Sequence, residues 1–549
     1  MKRAEFMRAF ALAAMPPIGR AHAAMLEPAA VTARLGGQVS VLDYPSFQHA
    51  HDALPDMGGT IHVPAGWYSS KTVPAFNGLV ITKPTALIGV ANGYGCALSF
   101  LVHDGDKDVD AIFLNIAGSC LLENLFITRP DSQIAPGAGR GIRWYKKGAA
   151  GRMAGLTINN VVVWRSPNWS FEFVCDGYEQ NYVSKLVMIE CTAFEAASGG
   201  SLRLGGAGSN NNFFSRCEFN GPGFGRYYDV NGCKVTAGKD AVSASGSSPF
   251  AGVANADEVF GMGIAIGTTV ASASASDLKL SQPAIETPDG ATQLAFWREG
   301  GADYPGEPLR RGHVHLARTS ISRFLQCSFQ GPGTTPVLST DLVSNDLVLR
   351  DCYREREIRP GDTIVDHSFQ ISGMNNFLVD GLYHQGHAAP SRLLKTGPSG
   401  MAMGRITNAQ LLVSALTGTD VVRLYKETDE LVIDNSMEQS SVTGERRGLV
   451  VAGAGAAIPP AQRGGANRAV LSLPNGSDDV FLVNGSEPVT SIVTVRPKHR
   501  VTLVFTGSAT LTDGVNLRLN GDFKGGPNRT ITLICDGTNW LELSRSANG

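Results

Sequence analysis

The strongest constraint on this chain is a short phrase that recurs at nearly constant spacing. The phrase is a polar residue followed by a small residue or Asn, usually with an apolar residue two positions further on. Its second residues fall at positions 124, 160, 191, 217, 327, 352, 381, 409 and 435, so the successive spacings are 36, 31, 26, 110, 25, 29, 28 and 26. A self-similar period of about 20–50 residues indicates stacked units, each of which buries its core only against its neighbours.

The residues around the phrase predict that each unit is made of short strands. Runs such as Leu186–Ile189, Leu347–Leu349 and Leu431–Ile433 precede it, and period-two alternation puts its first residue outside and its second inside. No helix-period stripe links the phrases, which excludes helical repeat arrays, and the Leu spacing of leucine-rich repeats is absent. We therefore predict an all-β chain with a parallel β-helix over residues 40–451. Its interior ladders are predicted to be Cys191, Cys217, Cys327 and Cys352, together with Asn160 and Asn435.

The composition and motifs of the chain argue against several classes of function. The 549 residues include 64 Gly, only 17% are charged and the net charge is −2, so no basic field favours nucleic acid. None of the nine cysteines forms a CxxC pair, which favours buried thiols over a metal site. No nucleotide-binding, zinc-protease or nucleophile-elbow motif occurs, so we predict no cofactor and no metal.

The first 24 residues read as an export leader. Lys2, Arg3 and Arg8 precede an apolar run, and Ala21-His22-Ala23 fits a cleavage site. No later run is long enough to span a membrane. We expect a periplasmic or extracellular protein, or alternatively a component of a virion tail.

A resemblance sharpens the fold prediction. Ser46 can cap a short helix with Phe47, Ala50 and Leu54 on one face, and Gly58-Gly59-Thr60-Ile61-His62-Val63-Pro64-Ala65-Gly66-Trp67-Tyr68 follows. This stretch resembles the opening of the pectate-lyase-like, rhamnogalacturonase/epimerase-like β-helix superfamily, which is common in phage tailspikes. The family's usual acidic segment before the helix is reduced here to Asp43-Tyr44. The resemblance implies a right-handed solenoid and a role in polysaccharide binding or cleavage.

Two further segments interrupt or follow the repeats. Removal of about 84 residues from the spacing of 110 restores the period, so residues 234–312 are predicted to be an inserted β module. Residues 467–549 are predicted to form a C-terminal β-sandwich-like domain. Their ending, from Cys535 to Trp540, resembles C-terminal modules of phage tailspikes and implies a homotrimer.

Candidate catalytic residues lie on the outward stripe of the repeats. Equivalent side chains in adjacent coils are about 5 Å apart and those in next-but-one coils about 10 Å apart. Paired carboxylates at about 5 Å suit retaining glycoside hydrolysis and those at about 6.5–9.5 Å suit inversion, whereas a lyase needs a base and a cation. The candidates are Glu190, Arg216, Glu218, Asp351 and Asp380, with Tyr353 on the same face. Asp351 and Asp380 are predicted to be the adjacent carboxylate pair among them.

Three functions remain open at this point. The first is a protein that binds and cleaves a bacterial capsular polysaccharide or exopolysaccharide, by lyase or hydrolase chemistry. The second is a non-catalytic receptor-binding or structural spike. The third is an exported enzyme of the host's own exopolysaccharide pathway, which the leader favours.

Overall fold

The computed structural model describes residues 37–547 apart from 94, 131–135, 149–150, 207, 222–225, 299–308, 311, 333–335, 342–343, 358–366, 387–391, 398–399, 414–421, 424–430, 435–448, 452–461, 464–468, 473–479 and 494–499. The leader and Asn435 lie outside the described residues. No helix in the described part has the length and apolar character needed to cross a membrane.

A short helix caps the first coil. The α-helix Phe47–Asp52 follows a 3-10 turn at Val41–Asp43, and the Ser46 side chain accepts the backbone N–H of His49 at 3.2 Å. Phe47, Ala50 and Leu54 are buried, which confirms the predicted apolar face. The helix covers the end of the solenoid, where the first coil would otherwise expose its core.

The solenoid is built from parallel strands that return to the same position one coil later. Most belong to a 21-stranded sheet that we call the first sheet. Its strands are Gln38–Ser40, Gly59–His62, Gly66–Tyr68, Thr85–Ile88, Ser99–Val102, Cys120–Thr128, Leu156–Trp164, Val187–Ile189, Thr192–Phe194, Asn212–Ser215, Glu218–Asn220, Ile321–Leu325, Ser328–Pro332, Ser344–Arg350, Tyr353–Glu357, Met374–Asp380, Tyr383–Gly386, Met401–Thr407, Gln410–Val413, Leu431–Asp434 and Leu449–Val451.

A ten-stranded parallel sheet, the second sheet, closes the coils on another side. Its strands are Leu79–Ile81, Ile112–Leu114, Ile142–Trp144, Trp169–Cys175, Gly200–Gly206, Val314–Ala317, Leu338–Asp341, His367–Ile371, Arg392–Thr396 and Val422–Arg423. A third, short stack comprises Arg152–Ala154, Tyr182–Ser184 and Ser209–Asn210. The arrangement is the predicted parallel β-helix, with one continuous apolar core inside it.

One backbone position bends the first sheet in eight successive coils, from Asn124 onward. It adopts a left-handed conformation, with φ between 50° and 74°, at the residues that we call the corner residues: Asn124, Asn160, Glu190, Arg216, Gln326, Asp351, Gly381 and Asn408. L-residues other than Asn and Gly adopt this conformation at a cost, which explains why Asn and Gly occur here. The side chain of the corner residue, where it has one, points outward, and the side chain of the next residue points into the core.

The predicted cysteine ladder is confirmed directly behind the corner. Cys191, Cys217, Cys327 and Cys352 are each at most 2% exposed and occupy successive coils. The prediction for Asn160 is wrong, because strand register aligns Asn159 with Ile189 and therefore places Asn160 beside the corner residue Glu190. Asn160 is half-buried at the corner and donates its amide to Asn124 Oδ1 at 2.7 Å.

The inserted module has its own antiparallel sheet and its own apolar core. The seven strands are Arg226–Lys234, Ala241–Ala244, Glu258–Gly261, Val270–Ala273, Asp277–Leu280, Thr292–Arg298 and Leu309–Arg310. Phe260 and Trp297 of the module pack with Trp169 and Ala317 of the second sheet in a buried apolar cluster. The module is therefore docked on the outer face of the second sheet.

The C-terminal segment forms a separate β unit with its own core. A five-stranded sheet contains Val480–Val483, Arg500–Phe505, Leu517–Arg518, Arg529–Cys535 and Trp540–Ala547. Smaller sheets pair Gln462–Arg463, Val470–Ser472 and Ser491–Ile492, and pair Thr510–Leu511 with Phe523–Lys524.

Candidate functional site

The five predicted catalytic residues do not converge at one place. Glu190 and Arg216 are neighbouring corner residues and form an ion pair with Nη2 and Oε1 2.7 Å apart. Both side chains are more than 40% exposed, so the pair contributes little stability. This arrangement is a solvated surface pair.

The predicted pairing of Asp351 with Asp380 is shifted by one residue. Strand register aligns Asp380 with Arg350, so Asp351 lies beside Gly381. Asp380 accepts hydrogen bonds from Asn408 at 2.9 Å and Thr407 at 3.2 Å. Its carboxylate thus joins hydrogen bonds of the surface around the corner.

Glu218 belongs to a different surface, the outer face of the strands that follow the corner. Strand register stacks Glu218 on Ser328 and Ser328 on Tyr353, and Tyr383 continues the column. Two positions further along each strand, Asn220, Gln330 and Glu355 form a parallel column. We call these seven residues the acidic face: Glu218, Asn220, Ser328, Gln330, Tyr353, Glu355 and Tyr383.

Hydrogen bonds order the acidic face. Tyr353 donates its phenol O–H to Glu355 Oε2 at 3.1 Å, and the Gln330 amide donates to Ser328 Oγ at 3.1 Å. The rings of Tyr353 and Tyr383 stack with centroids 5.6 Å apart at an interplanar angle of 14°. The Glu355 carboxylate is therefore held by Tyr353, and it continues the column of the Asn220 and Gln330 side-chain amides.

The surroundings of Glu218 change its acidity. Burial, and then the neighbouring Glu355 carboxylate, raise the pKa of Glu218 to about 7. Burial and the Glu355 carboxylate also raise the pKa of the Tyr353 phenol, which keeps it a hydrogen-bond donor. A carboxyl group that is half protonated near neutral pH, facing a second carboxylate, is the arrangement that acid–base chemistry requires.

Sequence reasoning missed Glu355. It lies two residues after Tyr353, so the alternation that placed Tyr353 on the outer face could also have placed Glu355 there. The inserted module leaves the solenoid soon after Asn220, at the edge of this face. The module is therefore close to the acidic face in sequence, although in space it packs on the second sheet.

A second polar cluster lies under the module. Ser339 Oγ is 2.7 Å from His315 Nδ1, and His315 Nε2 is 3.0 Å from Asp341 Oδ2. All three residues are completely buried, and Trp297 of the module donates its indole N–H to the same Asp341 oxygen at 3.0 Å. Because the cluster is buried beneath the module and bonded to Trp297, we interpret it as a contact that holds the module on the solenoid.

Comparisons with known proteins assign no family. No family model matches the chain, and no curated protein matches it. A structure from Geobacillus virus E2, ORF18, is similar at 8% identity with a TM-score of 0.36, covering 93% of this chain and 76% of that one. DFA-IIIase from Arthrobacter chlorophenolicus A6 in complex with GF2 is similar at 11% identity with a TM-score of 0.35, covering 76% of this chain and 93% of that one.

Proposed function

We propose that this protein binds and cleaves a bacterial polysaccharide at the acidic face. The observation that carries the proposal is the placement of Glu218 and Glu355 on one outer face, with Glu355 hydrogen-bonded to Tyr353, where burial and the Glu355 carboxylate raise the pKa of Glu218. In this account Glu218 is the general acid, which protonates the leaving glycosidic oxygen. Glu355, hydrogen-bonded to Tyr353, is the base that activates water.

The spacing of the two carboxylates favours hydrolysis with inversion. Glu218 and Glu355 arise from strands two coils apart and from columns two residues apart along the strands, so their backbones are roughly 12 Å apart at ordinary strand dimensions and the side chains bridge part of that distance. A retaining pair needs about 5 Å between carboxyl groups, whereas an inverting pair leaves room for water at about 6.5–9.5 Å. The anomeric configuration of the first product, followed by NMR, tests this assignment.

The experiment that tests the function is an assay of the full chain against a panel of capsular polysaccharides and exopolysaccharides. New reducing ends without absorbance in the unsaturated-uronate band support the hydrolase. Appearance of that absorbance would identify a lyase and overturn the proposed roles. Binding without cleavage would favour the second candidate, a receptor-binding spike, which the exposed aromatic surface described below also suits.

Export and trimer formation remain proposals of the same account. They rest on the leader-like residues 1–24 and on the tailspike-like ending from Cys535 to Trp540. Light scattering of the full chain tests the trimer, since a full-length monomer contradicts it. N-terminal sequencing of secreted protein tests the cleavage after Ala23.

A further inference from the structure

A row of aromatic side chains leads along the solenoid to the acidic face. Strand register stacks Trp67 on Phe100 and Phe100 on Phe126, in the same column of the first sheet. The same column continues through Val162 and Thr192 to Glu218. The aromatic row and the proposed general acid therefore share one line parallel to the solenoid axis.

The rings form a continuous ladder. Trp67 and Phe100 have centroids 5.1 Å apart at 23°, and Phe100 and Phe126 have centroids 5.1 Å apart at 43°. Trp164 meets Phe126 edge-on at 6.0 Å. We call Trp67, Phe100, Phe126 and Trp164 the aromatic ladder.

The ladder is open at its N-terminal end. Trp67 is 61% exposed, although the other tryptophans are buried or half-buried. Within the described part of the chain, strand Gly66–Tyr68 pairs only with Ser99–Val102, so no ring or strand stacks on the other face of Trp67. A large aromatic side chain held this far into solvent favours a binding surface.

Polar groups flank the ladder at its other end. Trp164 donates its indole N–H to Glu195 Oε2 at 2.8 Å, and the Arg165 guanidinium lies 3.9 Å from the centre of the Trp164 ring. The uncovered face of Trp67 can accept the C–H groups of a sugar, the partly exposed ring edges of the ladder can contact further sugars, and charged groups at the rim can bond to sugar hydroxyls. This mixture suits an amphipathic ligand rather than a purely apolar one.

We propose that the aromatic ladder binds a polysaccharide strand that lies parallel to the solenoid axis and enters the acidic face at Glu218. This inference rests on the proposed function for its substrate class. Each coil advances the ladder by about 4.8 Å, which is close to the length of one sugar residue. Five coil steps separate Trp67 from Glu218, so a ligand must be several sugar residues long to reach both.

The length requirement gives a direct test. In the full chain, Trp67→Ala should raise KM for a long polysaccharide roughly tenfold, as expected for the loss of one aromatic platform. The kcat/KM for an oligosaccharide of two or three residues should stay unchanged, because that ligand does not reach Trp67. Met403→Ala is the matched control, since Met403 is an exposed apolar side chain on a different part of the first sheet, 55% exposed. Equal KM values for Trp67→Ala and Met403→Ala on the long substrate would overturn the proposal.

A second readout does not depend on cleavage. Acrylamide should quench Trp67 in the free protein, and a polysaccharide should protect it in the Glu218→Gln variant. Phe100→Ala should weaken that protection. Protection that depends on Trp67 without any cleavage would support the ladder and contradict the proposed enzyme, whereas cleavage without protection would support the enzyme and overturn the ladder.

Other occupants give different outcomes. If acrylamide fails to quench Trp67 in the free full chain, another segment of this chain already covers the ladder. If quenching falls as the protein concentration rises, a second copy covers it. Either result, or failure of the whole panel to bind, overturns the proposal.

Discussion

Trp297 of the inserted module donates its indole N–H to Asp341 of the solenoid at 3.0 Å. The same Asp341 oxygen lies 3.0 Å from His315 Nε2, and the His315 and Trp297 rings meet edge to face at 4.4 Å. Arg203 completes the contact, with its guanidinium 4.2 Å from the Phe260 ring and 4.4 Å from the Trp297 ring. A buried polar network therefore joins the module to the solenoid.

Asp341→Ala should destabilise the protein, because it leaves the buried N–H groups of Trp297 and His315 without their acceptor. A buried donor that loses its acceptor costs about 1–3 kcal/mol. Denaturant unfolding measures the loss, and limited proteolysis reports whether the module undocks first. Asp289→Ala, at an exposed position of the module, is the control. Equal midpoints for the two variants would mean that the network does not hold the module.

The solenoid could be predicted from sequence because its interior positions repeat. Cys191 and Cys217 stand at one inward position of successive coils, and small apolar side chains suit such a ladder. The repeat spacing predicts Asn160 one residue away from its true register. Asn occurs both in interior ladders and at left-handed corners, so its residue type alone does not tell the two positions apart. The structure places Asn160 at the corner, beside Glu190 and not beside Cys191.

The site could be predicted only in part, because it depends on contacts between residues that are far apart in the sequence. Alternation predicts that Glu218 lies outside, but its raised pKa depends on burial and on Glu355, which is 137 positions away in the sequence. The contact of Trp297 with Asp341 joins an inserted module to a later coil. No periodicity in the sequence brings such residues together.

Thiol reactivity tests the interior ladder. Of the nine cysteines only Cys96 is exposed, and all nine are free. Burial raises the pKa of Cys120 to about 11 and that of Cys352 to about 12, which further suppresses their thiolates. We expect a chromogenic disulfide reagent to titrate one thiol in the native protein and nine in denaturant. Rapid reaction of the native Cys96→Ala variant would contradict the ladder.

Glu190→Asn should maintain or raise the melting temperature. The substitution relieves a left-handed conformation that costs most L-residues about 1–2 kcal/mol, and it removes an exposed ion pair of little energetic value. Glu123→Asn is the control, because Glu123 has no left-handed backbone and accepts a 2.7 Å hydrogen bond from Asn159. We expect Glu190→Asn to keep full activity. Loss of activity would restore Glu190 as a catalytic candidate.

The stability of the protein should fall as pH rises from about 4.5 to about 7 because of Glu218. The pKa of this carboxyl is raised to about 7 from the model-compound value of 4.5. Within this window the folded protein retains a proton that the unfolded chain releases, so the stability conferred at low pH is lost as pH increases. Glu218→Gln should reduce this slope in denaturant unfolding measured at several pH values. An unchanged slope would mean that Glu218 titrates normally.

The most direct test of the central claim is the pH dependence of kcat/KM on a cleaved polysaccharide, measured for the wild type, Glu218→Gln and Glu190→Gln. We expect the wild type to lose activity above an apparent pKa of about 7, because the general acid must be protonated. Glu218→Gln should lower turnover by about 10²–10⁴ and abolish that alkaline limb, while Glu190→Gln should match the wild type. A Glu218→Gln variant with wild-type turnover and an unchanged alkaline limb would contradict the account.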